Sequence, residues 1–180
     1  LYNYREYINS QDKFLKDLKS EVYKKIKIRL GSNLRYNSVN NLIDYEKKVW
    51  QKSHPRLKYE TREANIYSTL ENSYLTILTN VTSTLFFECI SYNIPFLILT
   101  QKYKHILNKK TLEDFRKLEN NRILYTDSKK LSYFLNSNNS KEILDWWYSE
   151  KNQKFIEGFQ KKYSGTKKKS LMELSKALNS

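Results

Sequence analysis

Thr82, Ser83 and Thr84 place three hydroxyls in a row where a polar turn (Thr79 to Thr84, including Asn80) runs into Leu85, Phe86, Cys89 and Ile90 at helical spacing. A Ser or Thr there caps a helix, and the uncapped N–H groups and positive dipole end behind it form a natural seat for a phosphate. The same residues serve equally as an ordinary helix cap. One turn further on, Glu88 can reach the ligand crevice, where a carboxylate accepts hydrogen bonds from a ribose, or it can act only as a partner of the helix dipole. Arg29 closes an alternating apolar run, Ile26 to Leu30. A guanidinium at the end of a strand clamps a phosphate in two-pronged fashion or pairs with a nearby carboxylate. Arg35, in the loop that follows, is a weaker candidate of the same kind.

Other chemistries find little support. The two histidines, His54 before Pro55 and His105, are far apart in sequence and read as structural or solvent-exposed residues. Without spaced acidic partners they do not make a metal site, and no metal is expected. No serine sits in a nucleophile elbow, and three glycines in the whole chain leave no room for a dinucleotide fingerprint or a Walker loop. No catalytic residue is identified.

The elements that would hold these residues alternate. A short β-rich run, Tyr74 to Leu78, reads as a strand buried on both faces; Pro95 ends the following helix, and Phe96 to Leu99 reads as a second buried strand. Strand, helix and strand make a βαβ unit, with the hydroxyl turn at the carboxyl edge where open α/β sheets bind ligands. Before it, Ser10 caps a helix bearing Phe14, Leu15, Leu18 and Val22. Strands follow at Ile26 to Leu30 and Leu57 to Glu60, with helices at Val39 to Val49, closed by Trp50, and at Ala64 to Leu70. After it come a helix from His105 to Leu118, a strand at Arg122 to Tyr125, and a helix capped by Asp127 or Ser128. A turn at Asn136 to Ser140 leads to a helix with Trp146 and Trp147, a stripe of Phe155, Phe159 and Tyr163, and a last helix after Gly165. The expected fold is α/β: a doubly wound, mainly parallel Rossmann-like sheet of about five strands, with a core over 1–135 and C-terminal helices over 136–180 packing on the same domain.

Composition narrows the setting. With 33 Lys+Arg against 19 Asp+Glu the chain carries +14, which suits phosphorylated substrates or an anionic membrane surface. The lysines are spread along the chain, and nucleic acid is not expected as a partner. A single cysteine, Cys89, excludes an intrachain disulfide and fits a reducing cytoplasm; no apolar run nears the ~20 residues that span a bilayer.

The block from Leu78 to Pro95 resembles the strand, Ser/Thr turn, "FLE" helix and "N-x-P" of GT-B glycosyltransferases, and most of all a family of surface-carbohydrate (capsule or lipopolysaccharide) transferases. Lys27 to Leu30 resembles that family's early "VRL" strand, Asp145 to Tyr148 its "WW" segment, and Phe155 to Tyr163 the "F…Y" helix after it. The matches run from about Tyr4 to Leu178. The resemblance implies the C-terminal, Rossmann-like half of a two-domain transferase in surface polysaccharide biosynthesis, cytoplasmic or at the inner face of the membrane. It implies that Thr82, Ser83 and Thr84 receive the donor phosphates, Glu88 lies near the ribose, and Arg29 lies by the phosphates or the acceptor. A nucleotide-sugar would be the substrate, with no cofactor, a glycan or lipid-linked acceptor, and a catalytic base from an N-terminal half absent here. Many such proteins place Gly before the Ser/Thr pair, where this chain has Val81-Thr82. The alternative is a non-catalytic α/β module that binds a polyanion or a protein partner.

Overall fold

The computed structural model describes residues 4–30, 47–60, 65–81, 83–101, 103 and 107–163. In order these form α1 (Tyr4–Lys16), α2 (Ser20–Tyr23), β1 (Lys27–Ile28), a helix over 47–53 (α3), β2 (Lys58–Tyr59), α4 (Ile66–Glu71), β3 (Thr76–Leu78), α5 (Thr84–Ser91), β4 (Phe96–Leu99), α6 (Lys109–Asn120), β5 (Leu124–Tyr125), α7 (Ser128–Ser137), α8 (Ser140–Trp147) and α9 (Glu150–Tyr163). All five expected strands are present and every pair is parallel. They are divided between a two-stranded sheet, β1-β2, and a three-stranded sheet in the order β3-β4-β5. The Thr76↔Phe96, Ile77↔Leu97 and Leu78↔Ile98 register realises the βαβ unit.

β4 carries the core because it is the middle strand of its sheet and all four of its residues are buried. Period-2 alternation sends Phe96 and Ile98 to one face, with Phe86, Ile90, Phe115, Leu118, Trp147 and Ile156. Leu97 and Leu99 go to the other, with Phe14, Leu15, Trp50, Leu131, Leu135 and Ile143. Helices therefore cover both faces, and α8 and α9 belong to this packing. β3 departs from expectation: Tyr74 to Ile77 are half-exposed, since β3 is an edge strand of its sheet and Tyr74, Leu75 and Ile77 line a cavity.

Helix ends follow local chemistry, with some shifts. Ser83 caps α5, Asp127 caps α7, and Asn139 with Glu142 makes a capping box on α8. Ser10 caps nothing: α1 begins six residues earlier, and Ser10 is buried within it, because Tyr7 and Ile8 extend the apolar stripe backwards. Trp50 does not close α3, which runs on to residue 53 with Trp50 in the core. α6 begins at Lys109, capped by Asn108, and Asn136 lies in α7 rather than in a turn. The expected helix start at 39–46, Ala64, Arg35, His105, Gly165 and the last helix lie outside the described residues.

Two helices end alike. After α5, Asn93 adopts φ 53° while Ile94 N–H donates to the Cys89 carbonyl (2.9 Å) and Asn93 N–H to that of Ile90 (3.2 Å). After α6, Arg122 adopts φ 59° while Ile123 N–H donates to Leu118 (2.9 Å) and Arg122 N–H to Glu119 (3.1 Å). Both are Schellman ends that turn the chain straight into β4 or β5, built with Asn and Arg where Gly is usual.

Candidate functional site

Among the described residues no ladder joins the sheet of β1 to that of β3, and residues of both strands line a cavity of ≈ 380 Å³. That volume falls in the range of small-molecule sites, roughly 300–1,000 Å³. α1 and α4 complete its walls, and Trp50, Ile26, Ile28 and Leu75 supply apolar surface. Arg29, just past β1, and Thr79, just past β3, bring the carboxyl ends of both strands to it. Tyr7 of α1 ties this edge down: its hydroxyl and Thr79 Oγ1 are 2.8 Å apart.

The sequence-derived candidates divide into two groups. Arg29 is exposed and lines the cavity. Asn80 (exposed), Ser83 (half-buried) and Thr84 (exposed) continue the chain from Thr79 but are not part of the cavity wall. Ser83 Oγ accepts from Leu85 N–H at 3.3 Å, so its hydroxyl is already engaged as a cap. The first turn of α5 holds no acidic residue to oppose an anion. Thr82 lies outside the described residues.

Glu88 is half-buried on α5 and does not line the cavity. Its charge is felt by Tyr67 of α4, and burial raises its carboxyl above the usual range. Cys89 beside it is fully buried in the core; burial, then the charge of Glu88, pushes its thiol up to about 12, a value at which no reactive thiolate forms near neutrality.

His54 is buried, with its Nε2 3.0 Å from Asp12 and its Nδ1 3.2 Å from the Tyr23 hydroxyl, packed on Trp50 and Tyr23. It braces α1, α2 and α3 together, as a structural histidine does. Among the described residues no group of three His, Cys, Asp or Glu is placed to hold a metal, and no helix is long and apolar enough to cross a membrane.

The cavity also gathers residues that sequence reasoning did not single out. Gln11 of α1 and Glu60 after β2 line it, each with a buried atom, Nε2 and Oε2, that makes no hydrogen bond. Lys27 Nζ stands 3.2 Å from Glu60 Oε2, an ion pair by distance whose angles make no hydrogen bond. Glu60 carried a usable signal, since it closes the second strand as Arg29 closes the first. Gln11, in mid-helix, carried none.

Compared with known families, residues 2–178 match the LIC12162 family transferase, and the chain belongs to that family. No curated protein and no solved structure matches it.

Proposed function

We propose that this transferase chain is the donor-binding half of a glycosyltransferase of GT-B type that uses a nucleotide-sugar in surface polysaccharide biosynthesis. The observation that carries the reading is the meeting of Arg29 and Thr79 at one cavity, at the carboxyl ends of β1 and β3, each a member of a parallel pair. Open α/β sheets bind their ligands at that edge. From Thr79 the chain leads through Asn80 to Ser83 and Thr84 at the start of α5, where a diphosphate would meet the positive end of the helix dipole. A surplus of 14 positive charges favours the approach of such a donor. The acceptor, a glycan or lipid-linked glycan, and the catalytic base would come with an N-terminal half.

The test is thermal shift of the chain with CMP, CDP, UDP, GDP and ADP, beside the Ser83→Ala/Thr84→Ala variant. Ligand at about a hundred times its Kd adds roughly 2.7 kcal/mol. At about 2–4 °C per kcal/mol for this size, that is a rise of several degrees. A shift with one nucleotide in the parent and not in the variant supports the donor site. No shift with any nucleotide refutes it for this chain and favours the non-catalytic binding module.

A further inference from the structure

Gln11 Nε2 is a donor without an acceptor, and Glu60 Oε2 is an acceptor without an aligned donor; both are buried and both border the cavity between β1 and β3. Folded proteins leave few buried polar atoms unpaired, because each has given up water and received nothing in return. Two such atoms of opposite kind on one cavity specify what would satisfy them. A phosphate suits Arg29 at the strand ends and would accept from Gln11, but at Glu60 it would meet a carboxylate. Glu60 already has a cation in Lys27, 3.2 Å away, and a second one would leave Gln11 unpaired, while an acyl chain would suit neither. A hydroxyl both donates and accepts, so a ring bearing several hydroxyls satisfies the two together. The rest of the wall is mixed: Ser68, Thr69 and Ser73 add hydroxyls, half-exposed Ile28 and Leu75 offer apolar surface to the C–H face of a sugar ring, and Lys25 and Arg29 add cationic donors that a sugar hydroxyl also accepts from.

We propose that the cavity between β1 and β3 is a pocket for a neutral sugar ring, with Gln11 donating to and Glu60 accepting from its hydroxyls. Lys27, ion-paired with Glu60 across the β1-β2 pair, holds that carboxylate in place. The proposal rests on the donor reading only for what the sugar is attached to; the sugar pocket stands on the cavity itself.

The test uses the full chain and saturation-transfer NMR with glucose, galactose, mannose and N-acetylglucosamine, each at millimolar concentration, in the parent and in Gln11→Met and Glu60→Gln. At least one sugar should receive saturation from the parent. Each variant should weaken that sugar about three- to tenfold, the worth of one hydrogen bond. A second readout needs no ligand: Gln11→Met removes an unpaired donor, so the ligand-free variant should melt above the parent, as expected when a polar group is kept for a ligand at the expense of stability. Absence of transfer from all four sugars overturns the proposal, and so does a Gln11→Met variant that melts lower, which would make the amide a structural group. A nucleotide shift without sugar transfer would leave the donor reading standing and this pocket refuted. Sugar transfer without a nucleotide shift would do the reverse.

Discussion

Replacing Ser83 by Asp separates a helix cap from a phosphate seat. Both side chains cap a helix well, and they differ little in that role. The new carboxylate also faces the positive end of α5, whose first turn has no acidic residue to compete with it, a gain of about 0.3–1 kcal/mol. The ligand-free variant should therefore melt level with the parent or up to about 4 °C above it, at roughly 2–4 °C per kcal/mol. Ser83→Ala should instead lose about 0.5–1 kcal/mol, the lower part of the range for a lost cap, because the existing bond to Leu85 is long at 3.3 Å.

Binding should move the other way. One phosphate charge about 5 Å from the introduced carboxylate is opposed by about 0.8 kcal/mol at the dielectric of water and by about 3 kcal/mol at that of a protein surface. At 1.4 kcal/mol per tenfold, affinity falls between about fourfold and two-hundredfold. Added salt narrows the gap, since the Debye length is about 8 Å near physiological ionic strength. Calorimetric titration of parent and variant with whichever nucleotide shifts the parent, at low and high salt, reads both effects. A folded, equally stable Ser83→Asp chain that binds the nucleotide as tightly as the parent would show that no phosphate sits at the start of α5.

Four further outcomes follow from single features. Arg122 holds a left-handed conformation that Gly adopts without strain, so Arg122→Gly should raise stability by roughly 1 kcal/mol in denaturant melts. Asn93→Gly should not gain, because the Asn93 side chain accepts from Trp147 Nε1 at 3.2 Å and donates to Gln153 at 2.8 Å, and an unpaired buried indole N–H costs about 1–3 kcal/mol. Burial raises the Asp114 carboxyl, but hydrogen bonds from Lys162, Tyr163 and Lys117 outweigh it and hold the group below its ordinary 3.8. Its contribution is thus present above that value and lost as pH falls through the lower folded one, so the melting temperature of Asp114→Asn should fall less steeply below pH 4 than that of the parent. Glu88 has the opposite sign: burial raises its carboxyl above 4.5, which weakens the fold as pH rises. Glu88→Gln should melt above the parent at pH 8, and the gain should shrink toward pH 4.

What could be read from the sequence was set by period and by caps. The run Phe96 to Leu99 is apolar throughout because β4 is covered on both faces, and its bounds were recoverable to the residue. Ser83 and Asp127 marked helix starts through local chemistry that needs no tertiary partner, whereas α5 ends at Ser91 on the Asn93 turn, ahead of Pro95. Ser10 misled because a serine inside an apolar stripe looks like a cap, whereas packing against α7 and the cavity wall decides where α1 begins. β3 misled similarly: Tyr74 to Leu78 is as apolar as a doubly buried strand, yet Tyr74, Leu75 and Ile77 line a cavity. A ligand-shaped space leaves the same apolar signature as a neighbouring strand.

That equivalence explains why the candidate site was only half legible. Arg29 and the hydroxyl turn end strands, and strand ends are visible in a sequence. Gln11 and Glu60 matter only because β1 and β3 stand apart without joining, a relation between elements some fifty residues distant. If the two strands simply paired, the space would close, and Gln11 Nε2 and Glu60 Oε2 would be buried with even less prospect of a partner. Keeping the sheets apart preserves a place for the groups that those two atoms require. The break between the sheets is on this argument part of the site, and a ligand that fills it should stiffen β1 and β3 together. Amide exchange at Ile28 and Ile77 should slow in parallel when a sugar is bound, and slowing confined to one of the two would show that the gap is not the binding site.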